Sequence, residues 1–330
     1  MKTTSVFVAN YCQSCGCRCR YCLLDWRGVC PGVPNRHGME YARRFSEWFS
    51  AKEDAPAFGY YVGYAMDLPD LRAYLRFLRE IRSPQADFLQ LNGMHLRGDV
   101  EMCGWLKAVK HEGVENLCPT FYGTEAYHDA FCGRKGDFAA LMRLSELAAE
   151  ASFHLSVTYP ILKSNLGMTE EIVKRCEVLT DDIHILSPHA KGRGRLLNVE
   201  RITLEELESL PETVRRRYSR LAKPERDWLR DCFPEAEQRS LTLVLTPENF
   251  PPLQSQPFAE TVAMLEGLDD AYYAALPPTE VLAKLYGNPA GTRLYRCRDL
   301  LLEWQQRYRA EHALSVHDVQ DERHHFSVRY

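Results

Sequence analysis

The chain has 330 residues, a formal net charge of −4 and 45% hydrophobic residues, with Lys, Arg, Asp and Glu mixed along its length. That length suffices for one α/β barrel with or without a smaller region appended, and the charge balance excludes a general polyanion binder. No apolar run approaches the about 20 residues needed to cross a bilayer, Met1–Asn10 lacks a signal-peptide pattern, and six of twelve cysteines crowd between Cys12 and Cys30, so metal ligation in a reducing cytoplasm is expected rather than disulfides.

Strand and helix signals alternate from the start. Ser5–Ala9 reads as a short strand running straight into the cysteine-rich stretch, and Met39–Phe49 reads as a helix. Strand Phe58–Tyr64 precedes helix Leu68–Arg82, which carries Leu71, Leu75 and Leu78 on one side. Strand Phe88–Leu91 leads to helix Val100–His111, with Cys103, Leu106 and Val109 facing one way. Val114–Phe121 and Asp137–Ala151 repeat the unit, as do Phe153–Tyr159 and Thr169–Leu179, with Thr169 expected as N-cap. Ile183–Ser187 ends the series. Six strands alternating with helices predict a parallel sheet with right-handed crossovers. Six units fall short of a closed eight-stranded barrel, so the expected fold class is α/β, a partial (β/α)6 TIM-like barrel over residues 1–205.

Beyond Thr203 the pattern becomes mainly helical, over Thr203–Leu210, Glu212–Leu221, Phe258–Leu268, Thr279–Tyr286 and Arg296–Tyr308, with Ser240–Thr246 as a lone strand. Residues 206–311 are thus expected to form a mainly helical C-terminal region, and 312–330 a polar tail.

The chemistry concentrates in Tyr11–Cys22. Cys15, Cys19 and Cys22 stand at C-x3-C-x2-C spacing, with Tyr21 just before the last cysteine. Three thiolates in one loop can hold three irons of a 4Fe–4S cluster and leave the fourth open to a small molecule. Cys12 and Cys15 also form a C-x2-C pair, so zinc or a differently wired iron–sulfur site stays open on spacing alone. Cys12, Cys17 and Cys30 are extra to the trio and read as packing residues, or for Cys30 as a closure of the loop. The position of the loop, after the first strand and at the edge where β/α barrels keep their active sites, favours the cluster.

This spacing resembles the signature of the radical S-adenosylmethionine (SAM) superfamily, and the resemblance extends over residues 4–205. It implies that Cys15, Cys19 and Cys22 bind a 4Fe–4S cluster, that SAM binds the open iron, and that reductive cleavage yields a 5′-deoxyadenosyl radical which abstracts hydrogen from an unactivated C–H bond. Where the family has a Gly-Gly-Glu-type motif, this chain reads Gly63-Tyr64-Ala65-Met66-Asp67, so backbone at Gly63, Tyr64 and Ala65 is implied to meet the SAM amino group, with Asp67 as a weaker substitute. Leu91-Asn92-Gly93 resembles the family's Thr-Asn-Gly, placing Asn92 in the barrel mouth; a turn-forming Asn-Gly is the plainer reading. Thr120-Phe121-Tyr122-Gly123, with His128-Asp129, Gly133, Gly136 and Phe138, resembles the SPASM-type peptide-modifying branch, which implies Thr120 and Arg134 near the ribose and carboxylate of SAM. Arg134 otherwise reads as a solvated turn. Asn165, and Gly192 in Gly-Arg-Gly, match further SAM-proximal positions of that branch. The auxiliary-cluster cysteines of the branch are missing, because only Cys232 and Cys297 follow Gly192.

The resemblance implies an electron donor such as flavodoxin or ferredoxin. It favours a peptide or protein substrate, with a small molecule as the alternative, and it gives no reason to expect a nucleic acid or membrane partner. A non-catalytic zinc or iron–sulfur protein is the rival of another class. If Thr120 faces inward, period two puts Cys118 and Asn116 on the same side, making Cys118 the candidate hydrogen donor; a packing cysteine is the plainer reading. Tyr60, Tyr64, His95 and His154 rank below it.

Overall fold

The computed structural model describes residues 3–23, 32–51, 57–231, 233 and 238–314; Cys30, Cys232 and the expected tail beyond residue 314 lie outside them. In chain order the first elements are β1 (Thr3–Ala9), α1 (Asn35–Ser50), β2 (Phe58–Tyr61), α2 (Leu71–Glu80), β3 (Phe88–Gln90), α3 (Asp99–His111) and β4 (Asn116–Cys118). Then come α4 (Glu125–Cys132), α5 (Asp137–Glu150), β5 (His154–Leu155), β6 (Val157–Pro160), α6 (Thr169–Glu177) and β7 (Ile183–Leu186). The alternation is the one read from sequence, with shorter strands and one helix, α4, that periodicity did not reveal. At eight residues α4 is too short to display a repeat.

Every strand pairing in this part is parallel. β1 pairs with β2, β3 with β4, β4 with β5, and β6 with β7. The expected strand Phe153–Tyr159 is interrupted at Ser156, so β5 pairs towards β4 and β6 towards β7, and a Thr120–Thr158 bridge continues the ladder across the break. The helices follow their apolar faces. On α2, Leu71, Tyr74, Leu75 and Leu78 recur at helical spacing and are buried, while Arg72 and Arg76 point outward. Thr169 is not an N-cap. It is the first residue of α6, where its side chain lies inside the helix rather than ahead of its first turn, and its hydroxyl donates backwards to the Leu166 carbonyl at 2.8 Å.

The C-terminal elements are α7 (Leu204–Glu208), α8 (Glu212–Arg215), β8 (Ala222–Pro224), α9 (Glu225–Asp231), β9 (Gln238–Val244), α10 (Phe250–Ser255), α11 (Phe258–Ala274), α12 (Thr279–Tyr286), β10 (Leu294–Arg296) and α13 (Cys297–Glu311). The expected lone strand is not alone: β9 pairs in parallel with β1 over seven positions, from Thr3–Gln238 to Ala9–Val244. β1 is therefore a central strand with a parallel neighbour on each side. Its run Val6-Phe7-Val8-Ala9 is at most 1% exposed, because a strand covered on both faces needs continuous rather than alternating apolar residues. A short antiparallel ribbon of β8 and β10, also unforeseen, joins the ends of this region. Beside it Trp228, Leu282, Tyr295, Leu300 and Trp304 form a separate apolar cluster.

Candidate functional site

The cysteine loop leaves β1 at its C-terminal end and is held from several sides by backbone. Gly16 N–H donates to the Gly93 carbonyl after β3 (3.0 Å), and Arg18 and Arg20 N–H donate to the Cys132 and Phe131 carbonyls at the end of α4 (2.8 and 2.9 Å). Arg193 N–H, after β7, donates to the Cys22 carbonyl at 2.9 Å. These last carbonyls of α4 have no partner within the helix, so the loop satisfies them. Two glycines allow the close approach. Gly93 has φ +91°, and a Cβ there would run into Cys15 Sγ; Gly192 has φ +53°, and a Cβ there would strike the carbonyls of Cys22 and Leu23. At the loop's base the buried Asn10 accepts from Val33 N–H and donates to the Val33 carbonyl, both at 3.0 Å, fastening the returning chain.

No disulfide links the described cysteines. Cys15, Cys19 and Cys22 are half-buried and line one cavity of about 730 Å³. Cys17 N–H donates to Cys15 Sγ at 3.4 Å, but the hydrogen bond between the Cys15 and Cys17 side chains, and next burial, outweigh it and push the Cys15 thiol well above its ordinary range. The loop also joins a second set of groups, buried apart from the half-buried Cys19: the sulfurs of Cys17, Cys19 and Cys132 lie within 4.8 Å of one another. Thiol donation from Cys132 and Cys17 lowers the Cys19 pKa to about 6 against the opposing effect of burial. Asp137 is the hub of this set, accepting from His128 Nε2 (3.0 Å), Arg134 Nε (3.0 Å) and the Cys17 thiol (3.6 Å). Burial alone would raise its pKa, but the His128 and Arg134 bonds outweigh that and hold it at about 2. His128 Nδ1 accepts from Tyr122 N–H at 3.2 Å, so its proton sits on Nε2, towards Asp137.

The strand register sorts the inward residues into layers. Gln90 is level with Cys118, and the Val157–Ile183 pairing sets Ser156 level with Asp182. Gln90, Cys118, Ser156 and Asp182 thus form one layer, with Asn92, Thr120 and Thr158 above it and Asn116 and His154 below. All nine line the cavity, as the period-two reading of Asn116, Cys118 and Thr120 anticipated. A packed barrel would fill such layers with branched apolar side chains; here they are small or polar, and the interior is hollow. Burial, and next the charge of Asp182, raises the Cys118 pKa to about 11, so its sulfur carries hydrogen at neutral pH.

Gly63, Tyr64, Ala65, Asn92, Thr120 and Cys118 therefore share one cavity with the three cysteines. Asn92 is more than a turn residue: its side chain accepts from Thr120 N–H (2.8 Å) and donates to the Thr120 carbonyl (2.7 Å), continuing the β3–β4 ladder past its last backbone pair. Arg134, Asn165 and Gly192 stand outside the cavity wall. Arg134 is half-buried, paired with Asp137 and packed beside Gly16, and so is no solvated turn. Asn165 is fully buried, bonded to the Leu162 N–H and to the Tyr122 and Pro160 carbonyls at 2.7–2.9 Å, and occupied in tying β6 to the turn after β4. Asp67 is also occupied, accepting from Tyr64, Arg97 and His95. Tyr60 donates to Asn35 Oδ1 (2.8 Å) and accepts from Asn10, away from the cavity.

Sequence reasoning missed Ser156, Asp182, His189 and Lys191 in the wall. Ser156 interrupts one short apolar run and Asp182 precedes another, and their facing is set by a register the sequence does not display. The loop carrying the other two is held by α13: Asp299 accepts from Ala190 N–H at 2.8 Å, and Gln306 donates to the Ala190 carbonyl at 3.2 Å.

No family model matches the chain, and no curated protein matches it by sequence. Among solved structures it is similar to Streptococcus suis SuiB bound to the precursor peptide SuiA, with a TM-score of 0.51, 12% identity, and coverage of 74% of this chain and 58% of SuiB. SuiB bound to S-adenosylmethionine gives a TM-score of 0.51 at 11% identity, covering 74% of this chain and 59% of SuiB. Escherichia coli coproporphyrinogen III oxidase (HemN), described as a radical SAM enzyme, follows at a TM-score of 0.38 and 15% identity, over 62% of this chain and 50% of HemN. The chain shares the SuiB fold, as the sequence resemblance to the radical SAM superfamily implied, and it spans under three-fifths of SuiB's length.

Proposed function

We propose that the protein is a radical SAM enzyme built on a partial (β/α)6 barrel, residues 1–205, with residues 206–311 forming a mainly helical region that carries β9 back to the barrel edge. The observation that carries the reading is the cavity, which joins three early cysteines to a hollow, polar strand interior. The donor set fits a 4Fe–4S cluster. Cys15, Cys19 and Cys22 share the wall and no disulfide joins them. A cubane takes three thiolates on three separate irons, which suits three cysteines set along one cavity wall.

When bound, such a cluster supplies reductive cleavage of SAM and, through it, hydrogen abstraction from an unactivated C–H bond. The chain's own part is positioning and exclusion of water. Gly93 and Gly192 hold the cysteine loop against the strand ends, and backbone at Gly63 to Ala65, with Asn92 and Thr120, shares the cavity with the cysteines and would, on the family resemblance, meet the amino acid and ribose of SAM. Arg134 and Asn165 act at one remove, by bracing the loop and the turn after β4. Cys118 holds hydrogen on its sulfur within the cavity, as a donor to a substrate radical would.

A peptide or protein is the favoured substrate, supported by the peptide complex of the structurally similar SuiB. A small molecule is the second reading, favoured by the size of the cavity, which falls in the range of small-ligand sites. No helix among the described residues is long and apolar enough to cross a membrane, and we place the enzyme in the cytoplasm with a flavodoxin or ferredoxin as donor. The test is anaerobic reconstitution with iron and sulfide, then dithionite and SAM: 5′-deoxyadenosine is expected, and a reconstituted cluster that never produces it would overturn the enzyme reading.

A further inference from the structure

The cavity has two unlike walls. Tyr61, Val62, Tyr74, Leu78, Phe88 and Leu89, from β2, α2 and β3, form an apolar side. Strands β4 to β7 form the other, which is mainly polar, with Pro160 and Leu186 as its apolar members. Charge is divided along the cavity as well. The lysine and arginine in its wall, Lys191 and Arg18, belong to the cysteine end, whereas Asp182 is the one carboxylate among the described lining residues and lies in the Cys118 layer.

Asp182 is built to stay ionised. Burial would raise its pKa, but hydrogen bonds from Ser156 and His154 and the proximity of His184 outweigh it and lower the pKa. His154 Nε2 lies 3.0 Å from Oδ2 and His184 Nε2 2.8 Å from Oδ1. A carboxylate has about four acceptor positions, so these partners do not saturate it. An anion sharing one cavity with an apolar wall selects for a ligand with the matching pattern, a cationic head on an apolar stem.

We infer that the Asp182 layer seats an ammonium or guanidinium group of the substrate, its apolar stem lying along the Tyr74–Leu78–Leu89 side. The inference rests on reading the cavity as the reaction chamber, and it adds the chemical class of the substrate. With the head at Asp182, the stem and its C–H bonds lie beside Cys118 and extend towards the cysteine end. The Asp182 side chain is 33% exposed, so solvent screening holds the expected discrimination to about tenfold rather than several thousandfold.

The test uses the reconstituted protein with SAM and four probes: Nα-acetyl-lysinamide, acetyl-Gly-Gly-Lys-Gly-Gly-amide, and the norleucine counterpart of each. Norleucine keeps the stem and removes the charge. Affinities from saturation-transfer NMR are expected to favour lysine over norleucine by about tenfold in at least one pair, and Asp182→Asn is expected to erase the preference. Preference in the free amide assigns a small basic substrate, and preference in the pentapeptide alone assigns a basic side chain of a peptide. Equal affinities for lysine and norleucine in the wild-type protein would overturn the inference without any variant, and so would a preference that survives in Asp182→Asn. SAM affinity, measured on the same samples by calorimetry, is expected to stay within about twofold in Asp182→Asn. Failure of the wild-type protein to bind SAM would count against the enzyme reading, separately from the lysine preference.

Discussion

The apolar and polar walls of the cavity come from the same kind of β/α unit, yet they answer to different demands. On the β2–α2–β3 side, Leu78 lines the cavity and Leu75 on the same helix belongs to the core behind it; both are 1% exposed and joined to a core that runs through α1 and α3. On the β4–β7 side the strands turn Leu117, Leu155, Ile183 and Ile185 outward to the helices, and these are buried; the inward positions hold Asn116, Cys118, Ser156 and Asp182 instead. Stability therefore resides on the outward face of the polar wall and on both faces of the apolar one. Chemistry is concentrated where packing is given up, as expected of a functional site in a consistent fold.

The sharpest way to break this contrast is at the cysteine end. Replacing Cys15, Cys19 and Cys22 together by Ala is expected to abolish the visible absorbance of the reconstituted protein and to cut 5′-deoxyadenosine formation by more than about a thousandfold, with the far-ultraviolet circular dichroism preserved. Next in size is the apolar wall. Leu75→Ala is expected to destabilise the fold by about 2–5 kcal/mol in chemical denaturation, since it empties a fully buried site. Cys118→Ala, on the polar wall, should cost under about 1.5 kcal/mol, because a small side chain leaves a cavity that is already hollow. Its effect belongs to the reaction: 5′-deoxyadenosine is expected at the wild-type rate while substrate product falls about tenfold or more. Equal stability losses for Leu75→Ala and Cys118→Ala would erase the contrast.

Gly93→Ala should lie between these extremes. It places a Cβ on Cys15 Sγ at a positive φ, so about 1–3 kcal/mol of strain and a marked loss of iron incorporation are expected together. The smallest effect concerns Asp137. Its native pKa, about 2, is below the ordinary carboxylate value, so the native state binds its proton less readily than the unfolded chain. It contributes stability above about pH 4 that fades as pH falls towards 2, and the difference is about 2 kcal/mol. Asp137→Asn should flatten that part of the denaturation profile, and a variant as acid-sensitive as the wild type would contradict it.

Much of the frame was legible because it is local. The alternation of short apolar strands with amphipathic helices located β1 to β4, β7, α2, α3 and α5, and C-x3-C-x2-C located the loop. What escaped depends on partners distant in sequence. Nothing in Leu241-Thr242-Leu243-Val244 says that it lies beside β1, because the edge a strand joins is decided by tertiary packing rather than by its own residues. Asp182 falls just ahead of the strand read at Ile183–Ser187, and only the Val157–Ile183 register makes it part of an inward layer. Asn165 and Arg134 carried the right residue types, but their bonds are spent on backbone and on Asp137, which spacing cannot reveal.

The central claim, a cluster held by three cysteines with one iron open to SAM, is tested most directly by electron paramagnetic resonance of the dithionite-reduced, reconstituted protein before and after addition of SAM labelled with ¹⁵N at its amino group. The account predicts a reduced 4Fe–4S signal that shifts on addition and acquires coupling to the labelled nitrogen. A protein that takes up zinc without iron, or an iron–sulfur signal that SAM leaves unchanged, would contradict it.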